Sequence, residues 1–130
     1  MRLHHIAYVC NDVDKKAESM KQLLNARCLG VSVVDEFQGV KILFVQLEDG
    51  TKIELLEPYG DNSPVQRFLD KGGGLYHLCF EVDDLEMTLE KITQNGKAMV
   101  VKPPLSAPAI NNRRVAFVVI DQNELIEFVE

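Results

Sequence analysis

Two histidines and two glutamates stand out in this sequence because they recur as pairs. His5 and Glu54 lie 49 residues apart, and His77 and Glu127 lie 50 apart. Each histidine stands near the start of an alternating apolar stretch, "HIAYV" or "HLCFEV". Each glutamate is flanked by large apolar residues, in "IELL" and "IEFV". Imidazole nitrogens and carboxylate oxygens are divalent-cation ligands, so four such groups converging on one point would make a metal site. A lone strand histidine is more often a packing residue than a ligand. A lone glutamate between apolar neighbours usually marks the outward face of a strand. What those plain readings leave unexplained is the recurrence of both residues at matching places. His4 has no counterpart, since Tyr76 stands in its place, and it is left out of the set.

The matching places come from a repeat. A shift of 72 lays His5–Asp14 over His77–Glu86. A shift of 73 lays Lys41–Val45 over Arg114–Val118, and Thr51–Glu57 over Glu124–Glu130. One extra residue in the second half reconciles the two shifts. The chain of 130 residues is read as a single domain built from two modules, about 1–58 and 73–130. Between them Ser63-Pro64 opens a linker helix over about 63–71, with serine as N-cap and proline at the first helical position. Gly72-Gly73-Gly74 follows as a hinge.

Within a module the periodicities give βαβββ. Residues 3–10 alternate and favour a strand. Asn11 or Asp12 caps a helix whose apolar stripe is Val13, Ala17, Met20 and Leu24. Strands near 29–35, at 40–47 and at 51–57 follow, separated by turns at Gln38-Gly39 and Glu48-Asp49-Gly50. In the second copy Leu85, Leu89 and Ile92 form the helical stripe, and Asn95-Gly96 stops that helix. The expected class is α+β: two tandem βαβββ modules share a half-closed eight-stranded sheet, with helices outside and a concave face for a ligand. Strand alternation turns His5 and His77 away from the helices, and a pseudo-twofold relation would bring all four ligands together.

Composition narrows the function. A net charge of −6 argues against a nucleic-acid partner, which needs a basic face. The longest apolar runs, such as Ala116–Ile120, are too short for a membrane span. The N-terminus shows no secretory apolar stretch, and Cys10, Cys28 and Cys79 fit no metal or disulfide pattern, so a cytoplasmic protein with reduced thiols is expected. An anionic ligand would need a local basic patch. Asn112, Arg113 and Arg114 are the first candidates for substrate binding, with Asn111, Lys41 and Lys102 as further ones.

"HHIAYV", "IELLEP", "YHLCFEVDD" and "LIEFVE" in paired modules resemble the vicinal oxygen chelate superfamily, which includes glyoxalase I and methylmalonyl-CoA epimerase. The resemblance covers the whole chain. The segment "IELLEPYGDNSPVQRFLDKGGGLYHLCFEVDDLE" looks most like the epimerase branch. The resemblance implies metal ligands at His5, Glu54, His77 and Glu127. His/Glu/His/Glu is the pattern of bacterial glyoxalase I, whereas epimerases often carry glutamine at the second place. It implies one divalent ion (Ni, Co, Mn or Zn) in octahedral coordination, and a small-molecule partner that is an acyl-CoA or a glutathione or other thiol adduct. By analogy it implies a homodimer.

The activity implied is that of an isomerase or lyase removing a proton α to the carbonyl of a thioester or hemithioacetal. Glu127 is the first candidate base and Glu54 the second. A fourth protein ligand would occupy the position that O₂ chemistry on iron requires. The sequence departs from the epimerase pattern at Phe37, where that family carries a further glutamate. Glu36 is adjacent, but an offset of one in a strand reverses the face. The competing readings are a metal-free sequestering protein of the bleomycin-resistance type, which has no use for an intact His/Glu pair in both copies, and a purely structural domain.

Overall fold

A computed structural model describes residues 1–121 and 123–130. The chain divides into two compact units, residues 5–76 and residues 1–4 with 77–130. In chain order the elements are β1 (Arg2–Val9), α1 (Val13–Leu24), β2 (Arg27–Cys28), β3 (Val33–Asp35), β4 (Val40–Gln46), β5 (Lys52–Pro58), α2 (Gln66–Asp70), β6 (Gly74–Glu81), α3 (Leu85–Thr93), β7 (Ala98–Ala107), β8 (Arg113–Ile120) and β9 (Glu124–Val129). A 3-10 turn at Pro108–Ile110 links β7 to β8. The class is mixed α+β, as expected. No helix among the described residues is long and apolar enough to cross a membrane.

In the unit of residues 5–76, β1 pairs parallel with β5, β5 antiparallel with β4, and β4 with both β2 and β3. Of the strand expected near 29–35 only Val33–Asp35 is strand; Arg27–Cys28 forms a separate short strand before it, and residues 29–32, with a bend at Gly30, lie between the two. Helix α1 starts at Asp12, whose carboxylate accepts from Lys15 N–H at 2.9 Å, which decides between the two predicted caps. Val13, Ala17 and Met20 pack onto Leu43, Val45 and Leu55. Leu24 departs from the predicted stripe. It lies in the final turn, 53% exposed, because the chain leaves the helix through left-handed Asn25 at φ 51°. Ser63 does not cap α2. Its hydroxyl donates to the Gly39 carbonyl at 2.5 Å, and the helix begins only at Gln66. In the triglycine Gly73 is obligatory: its φ is +66°, and a Cβ there would lie 2.7 Å from the Val9 carbonyl oxygen.

The other unit follows the same plan. β6 pairs parallel with β9, β9 antiparallel with β8, and β8 antiparallel with β7. Asp84 caps α3 by accepting from Met87 N–H at 2.8 Å. Leu85 and Leu89, with half-buried Ile92, cover Ala116, Val118, Ile126 and Phe128. The opposite face of this sheet is also apolar, with Cys79, Ala107, Val115, Phe117 and Val129 packed together. Burying side chains such as Leu55 and Leu85 completely contributes about 1.5–3 kcal/mol each, which is what fixes strand register against the helices.

Candidate functional site

Each unit holds one predicted pair. In residues 5–76, His5 Nε2 lies 3.2 Å from Glu54 Oε2. Parallel register sets Glu54 beside Ala7, one strand step from His5 on the same face. In the other unit His77 Nε2 lies 3.1 Å from Glu127 Oε2, with Cys79 beside Glu127. All four residues are buried, with no more than 7% of their surface exposed. A buried carboxylate is expensive unless it is paired, and each has an imidazole as partner.

A third residue recurs with each pair. Phe44 stands opposite Glu54 and meets the His5 ring edge-on, with centroids 5.2 Å apart and an interplanar angle of 84°. Phe117 stands opposite Glu127 and meets the His77 ring at 5.5 Å and 89°. Each imidazole is thus held between a carboxylate and an aromatic ring. The two phenylalanines were aligned by the repeat itself, but an apolar residue in a strand carries no signal beyond packing.

The donor geometry fits a metal ion. Two ligands each about 2.1 Å from a common ion, at right angles, are about 3.0 Å apart. The nitrogen–oxygen separations of 3.2 and 3.1 Å match such a neighbouring pair in each unit. Neutral nitrogen and carboxylate oxygen are the donor types that zinc and the later transition metals share.

The predicted basic patch is divided by the strand. Arg113 and Arg114 are neighbours on β8, so their side chains take opposite faces. Arg114 lies on the helix-covered face, bonded to Glu86 and, at 2.8 Å, to Glu130. Arg113 lies on the His77 face, but its guanidinium donates to Glu81 at 2.9 Å and to the Glu130 carbonyl at 3.0 Å. The two arginines therefore cannot form one anion-binding lip. Asn112 takes a left-handed φ of 58° in the turn before β8, and its carbonyl accepts from Ser106 Oγ. Lys41 is also on a helix-covered face, 2.7 Å from Asp14 and 4.0 Å from Glu57.

These ion groups obey the repeat. Lys41, Asp14 and Glu57 correspond to Arg114, Glu86 and Glu130. Glu57 accepts from Val13 N–H at 3.0 Å, and Glu130 from Leu85 N–H at 3.3 Å. Each carboxylate thus meets the positive end of the helix its module packs on the sheet. The acidic trio Asp84, Glu86 and Glu130 belongs to this cap. Hydrogen bonding to Asp14 raises the Lys41 pKa, and bonding to Arg114 lowers that of Glu86. Arg113 first and Arg2 second likewise lower the Glu81 pKa.

Phe37 and Glu36 both lie in the turn joining β3 to β4, so strand alternation does not govern either of them. Phe37 is 86% exposed. The buried acid at that end is Asp35, whose carboxylate accepts from Gln38 N–H at 2.9 Å and from its side-chain amide at 3.0 Å, closing the turn. Cys10, Cys28 and Cys79 form no disulfide among the described residues.

Residues 4–117 match the family described as the Glyoxalase/Bleomycin resistance protein/Dioxygenase superfamily. The chain is 35% identical over 97 residues to the ethylmalonyl-CoA/methylmalonyl-CoA epimerase of Cereibacter sphaeroides, covering 73% of this chain and 71% of that protein. It is 41% identical over 86 residues to the mitochondrial methylmalonyl-CoA epimerase of Homo sapiens, covering 65% of this chain but only 48% of the human protein. Among solved structures, the methylmalonyl-CoA epimerase of Mycobacterium tuberculosis superposes with a TM-score of 0.88 at 25% identity, over 99% of this chain and 87% of that one. With a match running through most of its length, the chain belongs to the glyoxalase/bleomycin resistance protein/dioxygenase superfamily.

Proposed function

We propose that the chain is an acyl-CoA epimerase acting on a 2-substituted malonyl thioester, with His5, Glu54, His77 and Glu127 as the protein ligands of one divalent ion. The observation that carries this reading is the buried imidazole–carboxylate pair present once in each unit. The curated relatives that bear an activity in their names are epimerases of such thioesters, and this favours a thioester over a hemithioacetal substrate.

Glu127 is the group that takes the proton from the carbon between the thioester carbonyl and the substituent, and its conjugate acid can return it. Inversion requires a second group to deliver a proton, and Glu54, the second candidate base, is the carboxylate proposed for that step. Exposed Phe37 cannot handle a proton. His5 and His77 hold the carboxylates through the contacts described above. When bound, a divalent ion supplies positive charge against the oxygen of a carbonyl whose neighbouring carbon is losing a proton. Burial of the four side chains keeps bulk water from the base.

The test is solvent-deuterium incorporation at C2 of methylmalonyl-CoA, run beside the hemithioacetal of methylglyoxal and glutathione. Wild type is expected to exchange the thioester, and Glu127→Gln to lose about a hundredfold or more of that rate. Turnover of the hemithioacetal alone would overturn the epimerase reading. A fully active Glu127→Gln would remove this residue from the chemistry.

A further inference from the structure

We infer that Lys102 recognises the free carboxylate of the substrate's acyl group and so selects malonyl-type thioesters over simple acyl thioesters. This rests on the epimerase reading above.

The inference begins with an irregularity in β7. Val100 stands opposite Val118, which packs under α3. Regular antiparallel pairing would then put Lys102 opposite Ala116, which is fully buried on that same helix-covered face. Instead an extra residue on β7 shifts the register, and Lys102 stands opposite Phe117. A bulge of this kind re-aims one side chain to the other face of the sheet. A second shift between Lys102 and Leu105, at Pro103-Pro104, follows at once, since neither proline can donate to the ladder. Lys102 is thus the residue that two successive irregularities isolate and turn outward from the helix.

The face it gains is the one that carries the pair. Cys79, Glu127, Phe117 and Lys102 are consecutive partners across β6, β9, β8 and β7, a single row on one side of the sheet. Lys102 Nζ lies 5.7 Å from the centroid of Phe117, the ring that also touches His77. A ring holds an ammonium in place without neutralising it. Of the cations considered for an anion site, Arg113, Arg114 and Lys41 are bonded to carboxylates. Lys102 makes no ion pair among the described residues.

The distance selects the anion. Lys102 and Glu127 are two strand spacings apart, about 10 Å between Cα atoms, and the lysine arm reaches back over the intervening ring. A carboxylate on the carbon that loses the proton stays within a few bonds of the base. The phosphates of coenzyme A lie beyond the whole length of the pantetheine arm. In the other module the place of Lys102 is held by apolar Leu29, whose N–H donates to the Phe44 carbonyl at 2.8 Å. The charge is present in one copy only, as recognition of a single carboxylate requires.

The experiment measures binding of methylmalonyl-CoA, propionyl-CoA and free coenzyme A by calorimetry to wild type, Lys102→Met and Lys102→Arg. Methionine keeps the packing on Phe117 and removes the charge. Lys102→Met is expected to weaken methylmalonyl-CoA by about ten- to a hundredfold, as for a lost charge-assisted hydrogen bond. Propionyl-CoA and coenzyme A are expected to bind as before, and arginine to restore most of the loss. Equal weakening of all three ligands would assign the lysine to the coenzyme A phosphates and overturn the inference. So would a Lys102→Met protein that discriminates between the two thioesters as wild type does. A wild type that binds neither thioester would sink the epimerase reading, and this assignment with it.

Discussion

If the proposed divalent ion binds at the imidazole–carboxylate pairs, Phe44 and Phe117 should affect its affinity, although a phenyl ring supplies no ligand atom. Each ring stands at a right-angled edge contact with an imidazole, at 5.2 and 5.5 Å, and each faces the glutamate that partners that imidazole. Edge contacts of this type contribute about 0.5–1.5 kcal/mol beyond area burial. If that energy holds the imidazole in its ligating orientation, Phe117→Leu should weaken divalent-ion binding by about two- to tenfold. Outer-shell partners of metal-bound histidines set an upper range of about ten- to a hundredfold. Phe44→Leu should do the same. The assay is calorimetric titration of chelator-stripped protein with Zn²⁺ or Co²⁺, beside urea unfolding of the metal-free variants. A Phe117→Leu protein that binds the ion like wild type while its unfolding midpoint falls would refute the reasoning, because the ring would then be packing and nothing more.

Three further outcomes are expected. Glu81 and Glu86 have lowered pKa values from their arginine partners, so the stability they add is complete above the ordinary glutamate range and is lost as pH falls through the lowered values. Acid titration by circular dichroism should therefore show loss of stability setting in below about pH 4.3, and Arg114→Met should blunt that dependence. Gly73→Ala should destabilise by about 1–3 kcal/mol in urea unfolding, because its positive φ and the Val9 carbonyl both oppose a Cβ. Thiol labelling of the native protein should modify exposed Cys28 first, while Cys10, whose pKa burial raises, and buried Cys79 react only on unfolding.

The pairs His5–Glu54 and His77–Glu127 were legible because strand alternation and a repeat are both written in residue order. The start of α1 was legible to within one residue, Asn11 or Asp12 standing immediately before a helical stripe, and the structure selects Asp12. What failed were the readings that depend on contacts distant in sequence. Ser63 has the form of an N-cap, but the Gly39 carbonyl competes for its hydroxyl. Arg113-Arg114 looks like one basic patch until the strand sends the two side chains to opposite faces. The stretch 29–35 has strand composition throughout, yet Gly30 at φ +88° interrupts it. The bulge that turns Lys102 leaves no trace in a pattern of alternation, because it is a fault in that pattern.

The places where the repeat holds and where it fails divide the work of the site. His, Glu and Phe are kept in both copies, and so is the triad of cation, helix-start acid and strand-end glutamate behind them. Such duplication suits the proposed ion, which has no preference among like ligands. The proposed substrate, a chiral thioester with one carboxylate, has no such symmetry, so its recognition calls for residues that the copies do not share. The strand beyond Phe44 and Phe117 meets that requirement. In one unit it is broken into β2 and β3, with apolar Leu29 beside Phe44. In the other it is continuous, with two register shifts and Lys102 beside Phe117. On this argument an exchange of the residues at 29 and 102 should leave ion affinity near its wild-type value, while preference for the carboxylated thioester collapses. Loss of ion binding in that exchange would show that the outer strands serve the metal pairs and not the substrate.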